Sequence, residues 1–156
     1  AALGYDLRNL GCSGSAFCEP EMAEYLAKQP GDLFLFEISV NMAGNGFTVD
    51  EFRSRAAALI EKVAEAHPQA PVVCISILTL GKVDRDESPA GLVPEYRKAL
   101  EEICRASKRG NVHFIDGTQL LSLSGLAKDQ IHPTDEGMAE IAAKLVPRLQ
   151  AIVKKR

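Results

Sequence analysis

The sequence lacks three features that would point to particular classes of protein: an excess of positive charge, a long apolar stretch and paired cysteines. Its 18 Lys and Arg residues against 21 Asp and Glu residues give a formal net charge of -3 at pH 7. Phosphate binding needs basic residues clustered on one face, and a membrane-spanning helix needs roughly 20 apolar residues in succession. We therefore expect neither a nucleic-acid partner nor a membrane span.

The cysteines are few and scattered, at Cys12, Cys18, Cys74 and Cys104. No Cys-x-x-Cys pair is present and no histidine stands at the spacing of a zinc finger, so we predict neither a bound metal nor a disulfide framework. Reduced thiols are typical of a cytoplasmic protein. The first residue is Ala1, however, and a processed start would leave secretion open.

The composition is that of a folded globular protein. Of 156 residues, 46% are hydrophobic and 25% are charged. A chain of this length buries roughly 70% of the surface that its unfolded form exposes, so it can form one core without disulfides or metals. We predict a single domain over residues 1–156.

Four short apolar runs alternate with helical patterns along the chain, which indicates an α/β fold with a parallel sheet. The predicted strands cover residues 6–10, 33–40, 72–77 and 112–115. The last three are almost continuously apolar, as in strands that are covered on both faces.

Helices are predicted between and after these strands. The clearest begins with the capping box of Thr48 and Glu51, and a shorter helix covers residues 19–27. Tyr96, Leu100, Ile103 and Cys104 mark a third, and the last helix follows Thr134. Residues 81–94 are polar and contain several Pro and Gly residues, which favours a surface loop near a site.

A glycine-containing turn, residues 11–15, follows the first predicted strand. It lacks the full spacing of a dinucleotide-binding or P-loop motif, and Ser15 stands where a nucleophile elbow has its last glycine. Its backbone amides could bind an oxyanion, or it could be only a tight turn between a strand and a helix.

Asn41 ends the second predicted strand, where an amide side chain is unexpected in an apolar run. At the carboxyl end of a parallel strand, an amide donor can stabilise an oxyanion. The alternative is an Asx cap on the following loop.

Asp129 and His132 lie three residues apart in a loop and are followed by Pro133. A carboxylate that accepts a hydrogen bond from one imidazole nitrogen leaves the other nitrogen available as a base. His67 lies in a loop between a predicted helix and strand, beside Pro68, and His113 enters the fourth predicted strand. Both are expected to be structural.

Taken together, these pieces resemble the SGNH (GDSL-like) hydrolase superfamily, and the resemblance runs over almost the whole chain. Residues 9–14 resemble the family's second block and residues 40–42 its third, while residues 129–133 resemble the last. The resemblance implies a three-layer flavodoxin-like fold and a serine esterase that needs no cofactor. It implies that Gly14 and Asn41 form the oxyanion hole, that Asp129 orients His132 as general base, and that the substrate is a small-molecule ester.

The sequence departs from the family in its first block, which carries the nucleophilic serine. Only ten residues precede Gly11 and none is a serine. In the 2-1-3-4-5 strand order that the resemblance implies, the missing strand lies between residues 6–10 and 33–40. We expect that strand, with the nucleophile, to belong to the same natural protein, and Ser13 is the fallback nucleophile.

Two other functions stay open from the sequence. A chain without its nucleophile could be a noncatalytic remnant or a small-molecule-binding module of the same fold. Phosphate or nucleotide binding at the glycine turn is weaker, because no basic residue closely follows the turn.

Overall fold

In the computed structural model, which describes residues 3–84 and 91–154, the chain forms a three-stranded parallel sheet. The strands are β1 (Phe34–Glu37), β2 (Val72–Ile75) and β3 (Val112–Ile115), paired in the order β1-β2-β3. In the register, Phe34 lies beside Val72. The parallel α/β architecture predicted from the sequence is confirmed.

Six α-helices occur in the described residues: α1 (Pro20–Ala27), α2 (Val40–Gly44), α3 (Val49–Ala66), α4 (Gly81–Asp84), α5 (Val93–Ala106) and α6 (Asp135–Val153). Two 3-10 turns, Gly117–Gln119 and Leu123–Gly125, connect β3 to the loop before α6. The predicted capping box is present, because Thr48 and Glu51 each accept from the backbone amide of the other. The helix predicted after Thr134 begins at Asp135, with the Thr134 side chain accepting from Gly137 N.

Helices cover both faces of the sheet. Apolar residues of α1, α3 and α5 pack on one face, which includes Phe36 and Cys74. On the other face, Leu149 of α6 packs with Val73, Ile75 and Ile115. All four side chains of β2 are buried as a consequence, and the result is the three-layer arrangement expected from the sequence.

The strand predicted over residues 6–10 is wrong, since none of these residues has strand structure. Within the described residues no neighbouring strand supplies hydrogen bonds to this segment, and an extended run without such a partner is not stable as a strand. Leu7 is 89% exposed. The Arg8 side chain instead donates to Gln29 and to the Tyr25 hydroxyl, both at 2.6 Å.

Two further predicted strands are shorter than expected, and the fourth is confirmed with its predicted bounds. The run predicted over residues 33–40 ends at Glu37, because Ser39 already has helical φ and ψ of -99° and -36° and precedes α2. The run predicted over residues 72–77 ends at Ile75. Of the predicted loop 81–94, residues 81–84 form α4, residues 85–90 lie outside the described residues, and α5 begins at Val93.

β1 lies at one edge of the sheet, and within residues 3–84 and 91–154 no strand pairs with its outer side. Phe34 and Phe36 are buried against α1 and α3, whereas Leu35, on the opposite face, is 45% exposed. The apolar Leu35 is therefore poorly covered compared with Val73, its buried neighbour in the register.

Candidate active site

Asp129 and His132 face each other within one turn of the loop before α6. The Nδ1 atom of His132 lies 2.7 Å from Oδ2 of Asp129, and the His132 side chain is 76% exposed. We assign the imidazole proton to Nδ1, because that atom adjoins a carboxylate oxygen. The Nε2 atom is then left as a proton acceptor.

The carboxylate of Asp129 is held in its charged form by three donors. Its Oδ1 atom accepts from the backbone amides of Ile131 and His132, each at 2.9 Å. The His132 backbone amide, the His132 side chain and the Ile131 amide, in that order, lower the pKa of Asp129 from its ordinary 3.8 to about 2. The carboxylate therefore stays ionised over the whole range in which a histidine base operates.

This pKa gives a direct prediction. Because the pKa is lowered on folding, the ionised Asp129 contributes stability above its ordinary pKa, and the contribution is lost as the pH falls through about 2. We expect the side-chain carbon of Asp129 to titrate near pH 2 by NMR. In His132→Ala the midpoint should rise but stay below 3.8, because both backbone donors remain. A midpoint of 3.8 or more in the wild type would contradict this hydrogen bonding.

The loop that carries the pair is fixed at both ends by backbone hydrogen bonds. Ala127 N donates to His132 O at 2.7 Å, and Thr134 N donates to Gly125 O at 2.8 Å. Leu126 and Pro133 form an isolated antiparallel bridge. The imidazole is thus presented by a short closed loop rather than by a free segment.

The start of α6 packs unusually closely on this loop. A Cβ atom placed on Gly137 would collide with the backbone oxygen of Gly125 and would lie 3.0 Å from its carbonyl carbon. Glu140, one turn later, accepts from the backbone amide and hydroxyl of Ser122 at 3.1 and 2.8 Å. The absence of a side chain at position 137 therefore sets the distance between α6 and the His132 loop.

Replacing Gly137 with Ala should lower the free energy of unfolding by about 1–3 kcal/mol, the usual cost of forcing extra atoms into a packed interior. Urea denaturation measures the change. Gly110→Ala is the matched control, because a Cβ atom there meets nothing within 4 Å. Equal midpoints for Gly137→Ala and the control would contradict the close packing.

Asn41 lies at the second residue of α2, just after β1, and not at the end of a strand as predicted. Its Oδ1 atom accepts from the backbone amide of Ala16 at 3.1 Å, so the Asx cap on the following loop is not the role of that oxygen. Within residues 3–84 and 91–154 the Nδ2 atom donates to no protein group, which leaves the amide available to a ligand.

The glycine turn is a tight reversal in which Ser15 N donates to Cys12 O at 3.2 Å. Ser13 and Gly14 both have positive φ, at 39° and 86°, as in a type I′ turn. The hydrogen bond from Ala16 to Asn41 places this turn beside α2. The structure thus brings the two predicted oxyanion donors, Gly14 and Asn41, into one region.

The two predicted pairs, Gly14 with Asn41 and Asp129 with His132, lie at the carboxyl end of the sheet. Asn41 follows β1, and the Asp129 loop contacts Gly81, which follows the neighbouring β2, through a 2.8 Å hydrogen bond from Gly81 N to Gln130 O. Neighbouring parallel strands lie about 4.8 Å apart, so residues that follow them lie together at the carboxyl end of the sheet. Between the two pairs themselves, the described residues form no hydrogen bond.

His67 has a structural environment, as expected from the sequence. His67 packs on Phe34 with ring centroids 4.5 Å apart, and its Nε2 atom is 3.2 Å from Leu26 O. Among residues 3–84 and 91–154, no group of three or more His, Cys, Asp or Glu side chains is arranged to hold a metal ion.

The same ranges contain no helix with the length and the apolar composition of a membrane span.

Three residues near the site could not be predicted from the sequence. Gln130 has a left-handed backbone with φ 64°, and its side chain packs against Gly81. Glu37 ends β1 half-buried, and burial raises the pKa of its carboxyl. For Glu37, the sequence offers one indication, a carboxylate within an apolar run. Nothing in the sequence indicates that Gly81 contacts Gln130.

Comparisons with known proteins identify the family and the fold of the chain. Residues 1–140 match the profile of the GDSL-like Lipase/Acylhydrolase family. The chain is similar to the crystal structure of a GDSL-like lipase from Bacteroides ovatus, with 27% identity and a TM-score of 0.81 over 97% of this chain. The match spans 44% of that lipase chain. No curated protein sequence matches the chain.

Two further structures share the fold at lower identity. A family 3 carbohydrate esterase from Talaromyces cellulolyticus is 15% identical, with a TM-score of 0.71 over 92% of this chain and 69% of that one. A peptidoglycan O-acetylesterase is 17% identical, with a TM-score of 0.69 over 88% of this chain and 42% of that one. At such identities the likeness shows the fold alone.

Proposed function

Because the chain belongs to the GDSL-like lipase/acylhydrolase family, we propose that its protein hydrolyses a carboxylic ester with His132 as the general base. The resemblance to this superfamily inferred from the sequence is confirmed by the same match. The observation that carries the proposal is the 2.7 Å contact between His132 Nδ1 and Asp129 Oδ2. The pair lies at the carboxyl end of the sheet, where ligands bind in open parallel folds.

In the proposed reaction a serine hydroxyl attacks the ester carbonyl while Nε2 of His132 takes its proton. Asp129 stabilises the imidazolium that forms. The tetrahedral oxyanion accepts hydrogen bonds from the backbone amide of Gly14 and from Nδ2 of Asn41. The intermediate then expels the alcohol, which takes the proton from His132, and a water molecule releases the acid from the serine by the same steps.

We propose that the nucleophilic serine lies outside these 156 residues, on a strand that pairs with the outer edge of β1. The unpaired edge within the described residues and the 45% exposure of Leu35 support this position. A parallel strand there would also stand next to the strand that leads into Asn41. Residues 1–156 would then form part of one SGNH-type domain, and Ser13, in the glycine turn, is the alternative nucleophile.

The proposed substrate is a small-molecule ester, with an O-acetylated carbohydrate as the first candidate. Two proteins of the same fold are named as a carbohydrate esterase and a peptidoglycan O-acetylesterase.

The proposal is tested by measuring hydrolysis with the natural protein that contains this chain. We expect it to cleave p-nitrophenyl acetate and to release acetate from acetylated xylo-oligosaccharides, with rates falling as the acyl chain lengthens. Hydrolysis no faster than in buffer, for every ester from acetate to octanoate, would refute the esterase proposal. Faster cleavage of octanoate than of acetate would refute only the substrate class.

A further inference from the structure

We infer that Gly81 is a positioning residue for His132. The contact between Gly81 and Gln130, which we name the latch, holds the Asp129–His132 pair in its reactive geometry. The inference rests on the proposed function. Gly81 lies in the segment after β2, remote in sequence from the pair that it would control.

The latch consists of one hydrogen bond and one close packing contact. Gly81 N donates to Gln130 O at 2.8 Å. A Cβ atom on Gly81 would lie 2.7 Å from Cβ and 2.9 Å from Cδ of Gln130, and closer still to Oε1. Gly81 is buried, so the Gln130 side chain fills the space that any other residue at position 81 would need.

Gln130 is held in a conformation that it would not adopt alone. Its φ of 64° lies in the left-handed region, which residues other than glycine rarely occupy. Its Nε2 atom donates to Ala127 O at 3.2 Å, while Oε1 is buried and has no hydrogen-bond partner within the described residues. Strained and unsatisfied groups of this kind persist where the surroundings fix them, and they cluster at functional sites.

Gly81 can act as a fixed support because the segment around it is anchored to α5. Arg97 donates to Ile77 O at 2.9 Å and to Leu78 O at 2.6 Å. The same guanidinium binds Asp84 at 2.8 and 2.9 Å, and Asp84 in turn accepts from Leu80 N at 2.7 Å. The support is therefore held on both sides of Gly81.

A shift of Gln130 would pass directly to the catalytic pair. Gln130 separates Asp129 from Ile131 and His132, whose amides both bind the Asp129 carboxylate. Turning the backbone at Gln130 would move these donors away from Oδ1 and carry the imidazole with them. A displacement of about 1 Å at a reacting group can cost roughly 100-fold in rate.

The test uses three variants of the natural protein: Gly81→Ala, Gln130→Gly, and the two combined. We expect Gly81→Ala to lower kcat for p-nitrophenyl acetate by roughly 100-fold with KM nearly unchanged. Gln130→Gly removes the three nearest atoms that the new methyl group would meet and still permits a positive φ. The combined variant should therefore recover to the kcat of Gln130→Gly alone, at least ten times that of Gly81→Ala.

A second readout separates this inference from the proposed function. The ¹⁵N shifts of the His132 ring report whether Nδ1 carries a hydrogen-bonded proton, whether or not the protein hydrolyses esters. Gly81→Ala should change these shifts, and the combined variant and the control Gly110→Ala should not. Wild-type shifts and kcat in Gly81→Ala, or a combined variant no better than Gly81→Ala, would overturn the inference.

Discussion

Replacing His132 with Ala is expected to lower kcat for ester hydrolysis by roughly 100- to 10,000-fold, the range that a positioned acid–base group contributes. The imidazole has a carboxylate partner on Nδ1, at 2.7 Å, and its side chain is 76% exposed. Under the proposed mechanism the serine would then lose its base, while the proposed oxyanion donors Gly14 and Asn41 would be unchanged. KM should therefore change much less than kcat, and steady-state kinetics separate the two.

The matched control is His67→Ala. His67 packs on Phe34 and its ring adjoins the Leu26 carbonyl, so its loss should lower stability but leave kcat unchanged at a temperature where the variant is folded. Because His132 is 76% exposed, His132→Ala should lower the unfolding midpoint much less than His67→Ala does. Wild-type kcat in His132→Ala, or an equal loss in both variants, would remove His132 from the reaction.

Replacing Asn41 with Ala should lower kcat by roughly 100- to 1,000-fold, as the loss of one oxyanion donor does. The same change also removes the hydrogen bond that the backbone amide of Ala16 donates to Asn41 Oδ1 at 3.1 Å. The loss of activity could then come from the donor or from movement of the glycine turn, and the Ala variant alone does not separate the two causes.

Asn41→Asp separates them. A carboxylate keeps an oxygen for the Ala16 amide but replaces the Nδ2 donor with an acceptor that repels an oxyanion. If Asn41 is an oxyanion donor, the Asp variant should be at least as inactive as the Ala variant while its stability returns towards the wild type. Recovery of kcat in Asn41→Asp would show that Asn41 acts only by holding the glycine turn.

The contact between Asp129 and His132 in the candidate site could be predicted from the sequence because its signals are local. Asp129 and His132 are three residues apart, and Pro133 and Thr134 define where the loop ends and α6 begins. The capping box of Thr48 and Glu51 is equally local and is confirmed. Contacts between residues within one turn of chain can be recognised from their spacing alone, even where packing by distant residues then fixes the exact geometry.

The failures come from features that depend on distant parts of the chain. The sequence predicts a strand over residues 6–10, yet a strand forms only where a neighbour supplies its hydrogen bonds. The contact of Gly81 with Gln130 joins the start of α4 to the loop before α6, which lie on opposite sides of β3 in sequence, and only the packed sheet brings them together. Likewise, the apolar run 33–40 gave no indication that Ser39 would turn into α2.

The most direct test of the central claim is covalent labelling of the natural protein with a fluorophosphonate probe, followed by mass spectrometry of the labelled peptide. We expect one labelled serine, outside residues 1–156, and loss of the label in His132→Ala because the hydroxyl is no longer activated. A label on Ser13 would make the glycine turn the nucleophile elbow. No label in the wild type would contradict a serine esterase and indicate a noncatalytic protein of the same fold, whereas equal labelling without His132 would contradict its role as general base.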